Sequence, residues 1–372
     1  MTDINGETHS TTTYVRVGYN ALNISIGQLS RVNMNGVDTV DFNTVNLNGE
    51  HEPAQGNVKI WSLKMPKQIY RKPYWEQGDI RFMNEDEFKS AFPIDEYNDE
   101  NNAYKWDKDI KVYDHDFNTS KRKALTLYHL PEWGAGWYVL EATCKDKFGQ
   151  DVKEIKYFEV YNDIGKYPPT NDVAWFTGLK TKGEPGENAE FLIASAAKDV
   201  TVLYEIEHRN KIVHKEWIKL SKQQKKISIP IKEEYRGGFQ VHFTMVKHSR
   251  RFNYYTTVTV PHTNKMLDVA FETFRNKLLP GQEEEWKIKI KGKRGEKVAA
   301  EMVATLYDAS LDAFRANSWG LNVLYYDYSR RYWESNTGFS TANSRLMAYD
   351  WNPYKYYTVT KIYDKLNWFG YY

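Results

Sequence analysis

An all-β chain of tandem immunoglobulin-like sandwiches is the fold class this sequence predicts, and three observations predict it. Residues 172–263 run as one strand-length segment after another, through "AEFLIASAA", "DVTVLYEIEHRN", "KIVHKEWIKL", "KKISIPI", "GGFQVHFTMVKH" and "NYYTTVTVP". Much of their apolar content alternates, the mark of strands with one buried face. Aromatic residues make up 15% of the chain, with 28 Tyr and 12 Trp, and such side chains suit a pleated surface better than a helix. Finally, a turn and strand recur: "PGENAEFLI" from Pro185 and "PGQEEEWKI" from Pro280. Proline and glycine fill the central positions of a type II turn, and the aromatic-x-Ile spacing puts Phe191 with Ile193, and Trp286 with Ile288, on one strand face. The two copies lie about one sandwich domain apart in sequence.

Taken in order, Asn5-Gly6 ahead of the alternating "TTTYVRVGY" reads as a hairpin turn, so residues 1–18 are expected to close a preceding sandwich. A sandwich is expected over 19–163, opening with "ALNISI" and "GNVKIWSLK" and closing with a hairpin that turns at Phe148-Gly149. Within it, residues 72–120 are polar and acidic, and are expected to be a surface insertion with one short helix at "NEDEFKSAF". There Asn84 caps, Glu87 completes a capping box, and Phe88 and Phe92 share a face. "YPPTND", 167–172, is a proline-stiffened linker. A seven-stranded sandwich follows over 168–263, with turns at Arg209-Asn210 and Arg236-Gly237-Gly238. Residues 266–372 are expected to form a partial third domain with an aromatic-rich tail. In it "GEKVAAEMVATLY" echoes "GEHEPAQGNVKIW", with Val303, Thr305 and Tyr307 alternating as Val58 and Ile60 do. Met302 to Tyr307 is expected as a strand, and Asp308 and Ser310 as the polar residues that shape its exit.

Charge and cysteine content exclude several classes. Charged residues make up 27% of the 372 and cancel to +2, so the basic footprint needed to neutralise phosphates is missing and nucleic acid is not an expected partner. Cys144 is the single cysteine, which rules out an intramolecular disulfide. The N-terminus lacks the basic and apolar regions of a signal peptide, and no run approaches the roughly 18 apolar residues of a membrane span. Ser310 stands between Ala309 and Leu311 rather than the glycines of a nucleophile elbow, so a structural role is expected for it. The nine histidines show no metal-binding spacing, and His242 reads as an ordinary strand residue. Asp107, Asp109, Asp114, His115 and Asp116 are oxygen-rich but lack the glycine and spacing of a calcium loop, so a solvated acidic loop is expected. "KRK", 121–123, and "KHSRR", 247–251, read as exposed basic turns. With no acid/base pair or nucleophile constellation, no enzymatic activity and no cofactor are expected.

The stretch "LLPGQEEEWKIKIKGKRGEKVAAEMVATLYDASLDAF", preceded by "FETFRNK", resembles the macroglobulin-type domains of bacterial alpha-2-macroglobulin-like proteins, especially the large forms of Bacteroidetes. "IKEEYRGGFQVHFTMVKHSR" and the "TDINGETHS" and "VRVGY" segments are similar to the same proteins in the same order, so the resemblance extends to about residue 315. It implies an extracytoplasmic scaffold, periplasmic or at the cell surface, that traps proteases when an exposed bait segment is cut. Its implied partners are proteases, met through the intact parent protein, and neighbouring macroglobulin-like domains. Many members carry a Cys-Gly-Glu-Gln thioester, whereas Cys144 here is followed by Lys145-Asp146-Lys147, so no thioester is assigned. The expectation is a non-catalytic segment of a longer inhibitor.

The tail from Trp319 is about a third aromatic and lacks regular turn punctuation. One reading makes it include or adjoin the bait, with Arg330, Arg331 and Lys355 as trypsin-like sites. Another has it wrap the last sandwich or pack against other domains, because such aromatic area is costly to leave exposed. A role of a different class also remains: a cell-surface adhesin or glycan-binding module whose Tyr and Trp rings stack on sugars.

Overall fold

The computed structural model describes Gly6, Tyr14, 16–36, 39–74, 80–273, positions 275, 277 and 279, 281–292, 302, 307–316, 318, 320, 324–327 and 330–332. The chain is all-β, with stacked sheets and short helices. In the first core, strands β1 (Leu22–Ile26), β3 (Thr39–Asn46) and β6 (Ala124–Thr126) form one sheet in the order β1-β3-β6. Facing it, β2 (Arg31–Asn33), β8 (Asp151–Tyr161), β7 (Gly136–Lys145), β4 (Gln55–Leu63) and β5 (Lys108–Asn118) form the second, in that order, with β2 parallel to β8. Alternation decides which side chains meet. Leu22, Ile24 and Ile26 of β1 point inward to join Val58, Ile60, Leu140 and Phe158. Burying each such side chain stabilises the fold by about 1.5–3 kcal/mol.

The helix expected within the acidic stretch forms as α1 (Glu85–Ala91). Its capping box is complete: Glu87 N donates to Asn84 Oδ1 at 2.9 Å and Asn84 N donates to Glu87 Oε2 at 3.1 Å. Phe88 lies 5.2 Å from both Phe92 and Tyr97. The rest of the stretch departs from expectation. Asp109, Asp114, His115 and Asp116 are not in a loop but on β5, an edge strand hydrogen-bonded to β4. Their charges fit there because an edge strand with one solvated face tolerates them, and charge on an edge discourages further pairing. Asn57 Nδ2 donates to both Asp114 and Asp116, each at 3.0 Å, and Lys111 Nζ lies 2.6 Å from Asp114.

The second core lies between sheets β13-β10-β9 and β12-β11-β14-β15, built from β9 (Trp175–Lys180), β10 (Asn188–Ser195), β11 (Val200–His208), β12 (Lys211–Leu220), β13 (Gln223–Pro230), β14 (Phe239–Lys247) and β15 (Arg250–Val258). Phe191 and Ile193 are fully buried in it, on one face as the repeat requires. Gly186 and Gly281 have φ of 92° and 76°, the left-handed conformation that the third position of a type II turn demands. Arg209 and Asn210, with φ of 49° and 62°, make the primed hairpin turn that joins β11 to β12. Beyond it, β16 (Leu267–Thr273) pairs antiparallel with β17 (Lys287–Gly292), and Trp286 meets Phe271 edge-on at 6.5 Å.

The two cores touch through polar contacts at the linker. Glu159 is buried there, accepting from Arg31 Nε at 2.9 Å and from the indole of Trp175, while the Arg31 guanidinium lies 5.0 Å from the Trp175 ring. The acidic stretch also reaches across. Arg71, bidentate on Asp95, donates from Nη1 to His248 O at 3.0 Å, and Arg250 donates to Lys72 O and lies 3.6 Å from the Tyr74 ring. The "KHSRR" turn is therefore gripped rather than a free basic turn. The hairpin expected at 1–18 and the strand at Met302 to Tyr307 fall largely outside the described residues.

Candidate functional site

On β11, Val202, Tyr204 and Ile206 face the core, which leaves Leu203, Glu205 and Glu207 on the other face of the sheet. On β14, Val241 and Phe243 face inward and leave Gln240 and His242 outside. By alternation these polar side chains belong in water. Yet Glu207 is 0% exposed, Gln240 1% and His242 7%. A segment of the aromatic tail contributes to their cover.

That segment, 324–327 and 330–332, is anchored at both ends. Asp327 N donates to Gly237 O at 2.8 Å, its carboxylate accepts from Arg209 N, and its carbonyl accepts from Gln240 Nε2 at 3.4 Å. Asp327 is itself 1% exposed, with His208 Nδ1 3.9 Å from its carboxylate. Just before it, Tyr325 O accepts from His262 Nε2 at 2.7 Å, and the Tyr326 ring stands 5.3 Å from the His262 ring. At the far end Arg331 N donates to Glu207 Oε2 at 2.9 Å, the same oxygen that takes His242 Nε2 at 2.9 Å. Arg331 Nη2 donates to Asn210 O at 3.0 Å. The Arg330 guanidinium lies over the rings of Tyr255, 4.3 Å away, and Tyr332, 4.7 Å away.

Backbone geometry leaves room for this docking. Gly237 has φ of 92°, and a Cβ there would stand 2.6 Å from Tyr325 O and 3.2 Å from His262 Nε2. Only glycine both adopts that conformation and lets the tail backbone approach so closely. Two of these bonds, Arg209 N to Asp327 and Arg331 N to Glu207, involve a carboxylate, and hydrogen bonds to charged groups contribute about 1.5–3 kcal/mol each.

Arg330 and Arg331 thus both lie in the docked segment, whereas Lys355 falls outside the described residues. The tail's described part makes its printed contacts with the second core. Ser310 sits in a short 3-10 turn, Ala309–Ala313, where its amide donates to Asp308 Oδ1 at 2.9 Å, the capping role expected for Asp308. Cys144 is buried on β7, where burial pushes its thiol pKa up. Among the described residues no group of three or more His, Cys, Asp and Glu side chains is placed to hold a metal ion. Sequence reasoning missed Glu207, Gln240, His262 and Asp327, since alternation assigned the first two to solvent and nothing local marks the others. His242 also proves more than an ordinary strand residue, paired as it is with a buried carboxylate.

A sequence model of the alpha-2-macroglobulin bait region domain matches residues 176–311. Residues 176–311 are thus similar to the bait region domain of alpha-2-macroglobulins. The match takes in β9 to β17, so the face that receives the tail lies inside the matched region and the docked segment just beyond it. Similar solved structures include native E. coli alpha-2-macroglobulin, at 14% identity and a TM-score of 0.25, covering 74% of this chain and 17% of that one. Salmonella alpha-2-macroglobulin reacted with methylamine gives 13% identity and a TM-score of 0.27, covering 75% and 17%. A tandem repeat from the extending region of a large adhesion protein gives 10% and 0.22, covering 68% and 52%. The chain spans about 17% of the length of the two macroglobulins, and scores this low carry no argument beyond the sequence match. No curated protein matches it.

Proposed function

We propose that the chain is a non-catalytic scaffold segment of an alpha-2-macroglobulin-type protease inhibitor, and that the stretch from Trp319 onward contains or adjoins its protease-sensitive segment. The observation that carries this is the bait region match ending at residue 311, a short distance before a segment that presents Arg330 and Arg331. In such a role the sandwiches supply position, and the attacking protease supplies the chemistry. A trypsin-like enzyme reads the arginine side chain and cuts the peptide bond after it. Ser310, held in a capped turn, supports the non-catalytic part of the reading. Proteases would be met through a longer protein, alongside neighbouring macroglobulin-like domains, in an extracytoplasmic setting. No described helix is long and apolar enough to cross a membrane.

Limited trypsin digestion followed by mass spectrometry tests the proposal. The first cuts are expected within 319–372. Early cleavage in the linker near 167–172 with 319–372 left intact would sink it.

A further inference from the structure

In the first core, the outer face of the larger sheet is not the plain charged surface that alternation assigns to it. We infer that this face binds an uncharged oligosaccharide, laid along β4 and β7 from a polar depression at one end to a group of aromatic rings at the other. The residues concerned lie outside the match to the bait region domain, so the inference stands apart from the reading of the tail.

Strand register sets out the face. Asn57, Lys59 and Trp61 of β4 stand beside Thr143, Glu141 and Val139 of β7, with Lys153, Ile155 and Tyr157 of β8 beyond them. At the Asn57 end a depression of about 670 Å³ opens, lined among others by Gln55, Asn57, Asp116, Asn118 and Thr143. That volume falls within the roughly 300–1,000 Å³ of small-ligand sites, which are mostly apolar. Here the lining is amide, carboxylate and hydroxyl, and an amide both donates and accepts, as a sugar hydroxyl does. Asn57 gives the site its sharpest feature. Its Nδ2 is committed to Asp114 and Asp116, each at 3.0 Å, while its Oδ1 is buried with no hydrogen-bond partner. A ligand hydroxyl donating to that oxygen would satisfy an acceptor the protein leaves orphaned.

The aromatic end lies four residues along β4, about 13 Å away at a rise of about 3.3 Å per residue, a span that a short oligosaccharide covers. There Trp61, Trp137 and Tyr157 are half-buried around Val139. Tyr104, on the short turn Ala103–Lys105, is 68% exposed and meets Tyr157 edge-on at 4.6 Å. Rings gathered on a solvated sheet face mark a ligand surface, and Trp and Tyr offer both an apolar face for the C–H side of a sugar and a polar tip for its hydroxyls. Charge selects the kind of sugar. Lys108 and Lys153 lie 2.8 and 2.9 Å from Glu141, Lys111 lies 2.6 Å from Asp114, and Lys145 lies 3.7 Å from Asp151. A surface whose lysines are paired in this way gives an anionic polymer little net attraction, which favours a neutral chain.

Isothermal titration calorimetry of the full chain tests this with cellohexaose, mannohexaose, xylohexaose and chitohexaose, and with hexagalacturonate as the anionic comparison. At least one neutral hexaose is expected to bind with a Kd of about 1 mM or tighter. Thr143→Arg fills the depression from an exposed position, and Trp61→Ala removes a ring from the other end. Each should weaken binding by about tenfold or more, with the melting temperature of Thr143→Arg unchanged. Trp217→Ala, which removes a ring 61% exposed on the second core, should leave the affinity as it is. The inference is overturned if no neutral hexaose binds, or if hexagalacturonate binds more tightly than all of them. Equal affinity in wild type and Thr143→Arg, or loss of binding in Trp217→Ala, would equally overturn it, since the sugar would then sit elsewhere.

Discussion

Glu159 shows how much one side chain can owe to its surroundings. It is 2% exposed at the contact between the two cores, and burial raises its pKa above the ordinary 4.5, against the lowering pull of Arg31 and the Trp175 indole. A raised carboxylate pKa means the folded protein holds that proton more tightly than the unfolded chain. Its contribution to stability is therefore fully present below about pH 4.5 and is lost as the pH rises through the raised value. A carbon-detected NMR titration of Glu159 should give a midpoint above 4.5, and a midpoint below it would contradict the burial argument. In sequence, "KYFEVY" shows only a glutamate within a strand. Nothing local tells that Trp175 and Arg31 will close over it, because both arrive from other strands. The same holds for Glu207 and Asp327, whose partners are 35 and 118 positions away at His242 and Arg209.

Elements were far more legible, since a strand or helix is specified by neighbours within a few residues. Asn84 and Glu87 announce α1 because a capping box needs only a four-residue pattern. Pro185-Gly186 announces its turn because only glycine takes the left-handed conformation freely. Strand β5 escaped, since its carboxylates read as a loop until pairing with β4 at a sheet edge gave them a solvated face. The β4 strand also hides a constraint. A Cβ on Gly56 would lie 2.1 Å from Thr143 O on β7 and 2.7 Å from the Phe117 ring on β5, so both neighbours would have to move. Gly56→Ala should destabilise the chain by about 1–3 kcal/mol, the range for overpacking a tight site. Urea denaturation followed by tryptophan fluorescence measures it, and a change under about 0.5 kcal/mol, the scale of an ordinary surface substitution, would show that the strands have slack.

On the scale of the whole molecule, the two cores are joined by more than their linker. The stretch after β4 carries Arg71, Lys72 and Tyr74 to the turn between β14 and β15, where they hold His248, Ser249 and Arg250. Burial, helped by Lys247 and Arg71, keeps the His248 pKa below its ordinary 6.5. Arg71→Ala removes one anchor of this grip, and amide exchange over residues 247–250 should quicken by up to about tenfold, the equivalent of 1.4 kcal/mol, while the centre of β14 keeps its protection. Unchanged exchange at the turn would mean that Tyr74 and Arg250 suffice.

By itself the sequence determined the all-β class, the strands of the second core, the repeated Pro-Gly turn, the capped helix and the family resemblance. Each depends on alternation, turn chemistry or motif order, which are short-range properties written along the chain. Only the tertiary structure decided that Glu207, Gln240 and His242 lie buried on the outer face of a sheet, and that Arg330 and Arg331 lie docked across it. A strand's two faces look alike in sequence when the cover for one of them comes from a segment some ninety residues later, and folding alone brings the two together.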